Sequence, residues 1–96
     1  MATPKVGDLA TLHYPSDSYP YIVVSVSANG YKVGLERLNP VPVAPGSRTP
    51  YDRPGDPANR TGIIDYAFRN ANGRYYVAGS SPISFGVARY YQAPEL

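Results

Sequence analysis

The chain has no cysteine, no tryptophan, a single histidine and only two phenylalanines in 96 residues. Without cysteine there are neither disulfides nor thiolate metal sites, so packing alone must hold the fold. With His13 as the only imidazole and no cluster of carboxylates near it, a metal centre lacks ligands, and a surface or packing role is expected for that residue. No stretch approaches the ~18 consecutive apolar residues of a membrane span. Met1–Asp8 has no apolar signal-peptide core, so the expectation is a cytoplasmic protein, or part of a particle assembled in the cytoplasm, with no membrane partner. No Gly-x-Ser-x-Gly elbow and no glycine-rich phosphate loop is present, which argues against an enzyme and against a cofactor.

Proline, glycine and tyrosine are plentiful instead. Eleven prolines and nine glycines leave little room for a long helix, because proline breaks the helical ladder and glycine weakens it. The class expected is therefore all-β, as one domain over residues 1–96. Ten tyrosines supply large rings with polar tips, suited to sheet surfaces and to interfaces. The formal charge of +2 permits nucleic-acid binding without the dense basic stripe of a duplex binder.

Two β-rich runs flank Asn29-Gly30, the signature of a tight hairpin. With those two residues as the loop, Val26 faces Val33 and Val24 faces Leu35 on an apolar side. Ser25 then faces Gly34, and Val23 faces Glu36, on a mostly polar one. Leu9–Tyr14 reads as a first strand. Ile63–Arg69 and Arg74–Ala78 read as a second hairpin around Asn72-Gly73, in which Phe68 meets Val77 inside and Arg69 meets Tyr76 outside. Three- or four-residue loops would change those partners. Ile83–Tyr91 closes the chain as one strand or two. The expected core is Leu12, Ile22, Val24, Val26, Val33, Leu35, Ile64, Tyr66, Phe68, Val77, Ile83, Phe85 and Val87. Five or six short antiparallel strands around it suit a small barrel or a two-sheet sandwich.

Residues 39–60 hold six of the eleven prolines and no periodic apolar pattern, which reads as a stiff proline-rich arm or loop. Such an arm either lies on a partner or is an insertion without consequence. The constellation that stands out is aromatic and basic. Arg69, Arg74 and Tyr76 are expected to share an outward face, with Arg89 and Tyr91 alongside and Arg48, Tyr51 and Arg53 supplied by the arm. Arginine and tyrosine dominate protein interfaces, and they also hold single-stranded nucleic acid on small barrels. They equally stabilise sheet surfaces by cross-strand packing.

Val6-Gly7-Asp8-Leu9-Ala10, the tyrosine-bearing loop after it and the hairpin from Tyr21 to Leu38 resemble the opening half of SH3-like barrels of the KOW and Tudor type. The chain departs from signalling SH3 domains in lacking tryptophan, and from small barrels in its 22-residue arm. Gly73-Arg74-Tyr75-Tyr76 and Ala88-Arg89-Tyr90-Tyr91 are similar to runs in small accessory proteins of tailed bacteriophages. The reading that results is a non-enzymatic protein-binding or assembly module, with single-stranded nucleic-acid binding as the alternative.

Overall fold

The computed structural model describes residues 3–15, 17–41, 52–77 and 81–92, with the backbone alone at 52, 53, 91 and 92. Among these residues seven strands form: β1 (Leu9–His13), β2 (Asp17–Val26), β3 (Lys32–Pro40), β4 (Asp52–Arg69), β5 (Tyr75–Val77), β6 (Ser81–Phe85) and β7 (Arg89–Gln92). The protein is all-β, and every pairing is antiparallel. There is one sheet rather than two, with one strand more than the five or six expected. The order β1-β6-β5-β4-β3-β2 returns to β1 through the β1–β2 pairing, so six strands close into a ring. Closure removes the unpaired edges that invite aggregation. β7 lies outside this ring and bridges the starts of β2 and β4.

The first hairpin keeps the expected Val26↔Val33 and Ser25↔Gly34 partners. Its turn sits one residue earlier than the Asn-Gly pair suggests, because the Gly30 N–H donates to Ser27 C=O at 2.9 Å. Farther along, a bulge at Val24 brings Val23, not Val24, opposite Leu35. Val23 is consequently buried and Val24 only half-buried. A bulge inserts one residue and reverses the facing of everything beyond it.

The second hairpin is where parity changes most. Asn70 N–H donates to Arg74 C=O at 2.8 Å, leaving Ala71-Asn72-Gly73 as a three-residue loop. Gly73, with a φ of 87°, takes the left-handed position such a loop requires. Val77 therefore meets Ala67 instead of Phe68, and Tyr75 meets Arg69. Ile64, Tyr66 and Phe68, expected in the core, are 43%, 46% and 41% exposed, and Ala67 is buried in their place. Val87 is exposed as well, lying beyond β6.

Residues 39–60 are not one arm. Asn39 and Pro40 end β3, and 52–60 begin β4, which pairs with β3 at Leu38↔Arg60 and Pro40↔Gly55 and with β7 at Pro54↔Arg89. An 18-residue strand would run roughly 60 Å if straight, but the longest extent of the molecule is 46 Å. β4 bends where its register with β3 shifts, near Thr61-Gly62. There Thr61 Oγ1 donates to Arg37 C=O (2.9 Å) and Gly62 N–H donates to a Glu36 carboxylate oxygen (3.1 Å), so side chains replace ladder bonds.

The main core inside the ring comprises Ala10, Leu12, Tyr21, Val23, Val33, Leu35, Ala67, Tyr75, Val77 and Ile83. Phe85 and Val26 pack on it half-buried. A second cluster of Ile22, Leu38 and Ala88 forms where Ala88, just before β7, packs against residues of β2 and β3. Each large side chain fully buried contributes on the order of 1.5–3 kcal/mol.

Candidate functional site

Residues directly opposite in an antiparallel ladder point to the same side. The outer side of β3, β4 and β5 therefore presents Lys32 with Phe68 and Tyr76, Gly34 with Tyr66, and Glu36 with Ile64. Gly34 matters to this surface, because a Cβ there would stand 2.2 Å from Ser25 Oγ and 3.4 Å from a Tyr66 ring carbon. Its bare backbone lets the Tyr66 ring lie across the neighbouring strand. The Lys32 ammonium stands 4.3 Å from the Tyr66 ring centre and 5.9 Å from that of Phe68. The Tyr31 ring is 5.7 Å from Phe68. Tyr31, Phe68, Tyr66 and Ile64 are all substantially exposed, and together they form an apolar and aromatic strip along the sheet. The Lys32 ammonium makes no hydrogen bond or ion pair with any described residue. At the far end, Glu36 is held by Arg60 at 3.5 Å, an exposed pair worth at most about 1 kcal/mol.

The expected Arg69/Arg74/Tyr76 face is split. Tyr76 lies on the outer side with Phe68, and Arg69 shares the opposite side with Tyr75. Arg69 donates from Nη2 to Asn29 C=O (3.2 Å), and the buried Tyr75 hydroxyl donates to Gly30 C=O. Both bonds tie the tip of the first hairpin to β4 and β5. Arg74 stays exposed, its N–H bonded to the Asn70 and Asn72 side chains at 3.1 Å each. Arg89 is remote from these, its N–H donating to Thr11 Oγ1 (3.1 Å) beside β1. The backbones of Arg53 and Tyr91 pair within the β4–β7 ladder, Arg53 opposite Tyr90 and Tyr91 opposite Asp52. Arg48 and Tyr51 lie outside the described residues.

Arg69 and Arg74 do come together, in a cleft of about 680 Å³ that also includes His13, Asn72, Tyr75, Ser84 and Phe85 in its walls. His13 Nε2 and Ser84 Oγ are 2.8 Å apart across the β1–β6 pairing. Sequence spacing gives no hint of this pair, since 71 residues separate its members. Among the described residues no acid contacts the other ring nitrogen of His13, and no three metal-ligating side chains gather.

A third polar group lies where β4 turns Asp65 toward the inside. Tyr21 donates its hydroxyl to Asp65 Oδ2 at 2.6 Å. Burial, then this hydrogen bond and the carboxylate's charge, raise the Tyr21 hydroxyl well above its ordinary value, against a lowering effect of Arg37. Arg37 itself lies over the Tyr19 ring at 3.9 Å, and Tyr19 packs edge-on against Tyr14 and Tyr90. These rings close one part of the molecule by mutual packing, whereas the Ile64–Phe68 strip is left open.

Comparison with protein-family models, with curated proteins and with solved structures gives no match to this chain. What the surface does must be argued from its own geometry.

Proposed function

We propose that the protein is a non-enzymatic binding module that docks a protein partner on the outer face of β3, β4 and β5. The observation that carries this is the run of Ile64, Tyr66 and Phe68 at alternate positions of β4, each more than two-fifths exposed. Contiguous apolar surface of this kind marks interaction sites on soluble domains. Tyrosine is also the residue type that stabilises interfaces at low entropic cost. Lys32 is a cation amid the rings without a counter-charge among the described residues, so the partner surface is apolar with an acidic group placed to meet it. An accessory subunit of an assembled particle, as in tailed phages, is the setting that suits such a chain.

The test is affinity capture from lysate of the source cell, paired with native mass measurement. Tyr66→Ser/Phe68→Ser should reduce capture or self-association at least about tenfold, the loss of a central pair of hot-spot rings, while the chain stays folded with a modestly lower thermal midpoint, since each lost cross-strand ring contact is worth roughly 0.2–1 kcal/mol. Equal capture by wild type and variant would overturn the assignment.

Single-stranded nucleic acid is a second reading, favoured by Tyr31, Tyr66 and Phe68 standing with Lys32 on one open sheet. Two features weigh against it. Ile64 extends the strip with aliphatic surface on which bases do not stack, and a carboxylate, that of Glu36 paired with Arg60, ends it. A salt-dependent shift of a labelled oligonucleotide, abolished by Lys32→Ala, would reverse this preference.

A further inference from the structure

The cleft holding Arg69 and Arg74 is lined by other residues than the aromatic strip and has a different character. Arg69, Arg74, His13, Ser84, Tyr75 and Phe85 contribute to its walls, and among the described residues no aspartate or glutamate lines it. Tyr75 and Phe85 stand edge to face at 5.4 Å, buried and half-buried, so the apolar part of the wall is rigidly packed. Arg69 is held in place by its bond to Asn29 C=O, which uses one of its five N–H donors and leaves the rest. Arg74 has no hydrogen bond or ion pair from its guanidinium to any described residue. A volume of about 680 Å³ falls in the range of sites for small organic ligands.

Low-dielectric walls strengthen the field of two cations that no acid among the described lining residues offsets, and planar guanidinium groups bind phosphate and carboxylate in fork geometry. We propose that this cleft binds a small anion carried on an aromatic or heterocyclic ring. Arg69 and Arg74 meet the charged group, and the Tyr75 and Phe85 side of the wall receives the ring. The site is distinct from the outer strip, because none of Tyr31, Lys32, Ile64, Tyr66 and Phe68 lines it.

Phenyl phosphate, inorganic phosphate and phenol are the three probes, titrated into the full chain and followed by amide chemical shifts. Phenyl phosphate should move the amides of Asn72, Arg74 and Ser84 saturably, and more tightly than either phosphate or phenol alone. Arg74→Gln should weaken it about tenfold, the effect of one lost charge-assisted hydrogen bond, with an unchanged thermal midpoint because that guanidinium has no hydrogen bond or ion pair among the described residues. Arg69→Gln should weaken it further, and Phe68→Ser should leave it unaltered. Absence of saturable shifts, equal binding by Arg74→Gln, or shifts centred on Tyr66 and Phe68 would each overturn the proposal. The last of these would leave the outer-face reading standing and remove this one.

Discussion

Tyr21 and Asp65 show how a single register shift creates a polar contact inside a barrel. Because Ala67 and Asp65, rather than their neighbours, face Val33 and Leu35, a carboxylate enters the inner side of the ring and requires a donor. Tyr21 supplies it at 2.6 Å. Tyr21→Phe should therefore cost on the order of 1–2 kcal/mol, the loss of one hydrogen bond to a charged group. A pH signature accompanies it. The Tyr21 hydroxyl is raised above 10.0 in the folded chain, so the folded state retains a proton that the unfolded state gives up. The corresponding stability is fully present below about pH 10 and is lost as pH rises from there toward the folded value. Thermal midpoints measured from pH 7 to pH 11 should converge for wild type and Tyr21→Phe above pH 10, although nine other tyrosines titrate in both proteins. A constant gap would mean that Tyr21 is not titrating from this environment.

At the scale of elements, the strands and the all-β class were legible because alternation and turn residues mark them locally. Leu12, Ile22, Val33, Leu35, Val77 and Ile83 are buried as the pattern implies. Facing was legible only up to the first irregularity. The bulge at Val24 and the third loop residue at Gly73 each add one residue, and either addition inverts a strand without changing its composition. Nothing in Ile63–Arg69 distinguishes a strand with Ile64, Tyr66 and Phe68 inside from one with those rings outside. The candidate surface was thus hidden by parity, and the His13–Ser84 cleft by distance along the chain. Residues 52–60 misled for another reason. Proline suggests a free arm, yet here Pro54 lies opposite Arg89 in the ladder with β7 and Gly55 N–H donates to Ala88 C=O at 2.9 Å. Gly55 provides the check. A Cβ there would stand 2.3 Å from Pro20 Cβ and 3.3 Å from Ala88 Cβ, with β2 and the approach to β7 both in the way. Gly55→Ala should destabilise by about 1–3 kcal/mol in urea unfolding, the usual cost of overpacking. A free arm would accept the methyl group without loss.

For the molecule as a whole, the closed ring and its external strand divide the stabilisation unequally. The ring encloses the main cluster and needs no contribution from β7 to complete its ladder. β7 instead clamps the second cluster, since Ala88 covers Ile22 and Leu38 while Thr11 Oγ1 donates to Val87 C=O (2.7 Å) and accepts from Arg89 N–H. Ending the chain at Gly86 would uncover that cluster and remove several hydrogen bonds at once. At about 1 kcal/mol per bond plus the apolar surface re-exposed, the loss is on the order of 3–6 kcal/mol. A domain of this size has about 5–15 kcal/mol in total, so the truncated chain should keep its β circular dichroism in buffer while its urea midpoint falls by roughly half. An unchanged midpoint would show that β7 merely rests on the ring. Complete loss of β signal would show that closing six strands is insufficient, and that the clamp across β2 and β4 is what holds the two ends of the sheet in register.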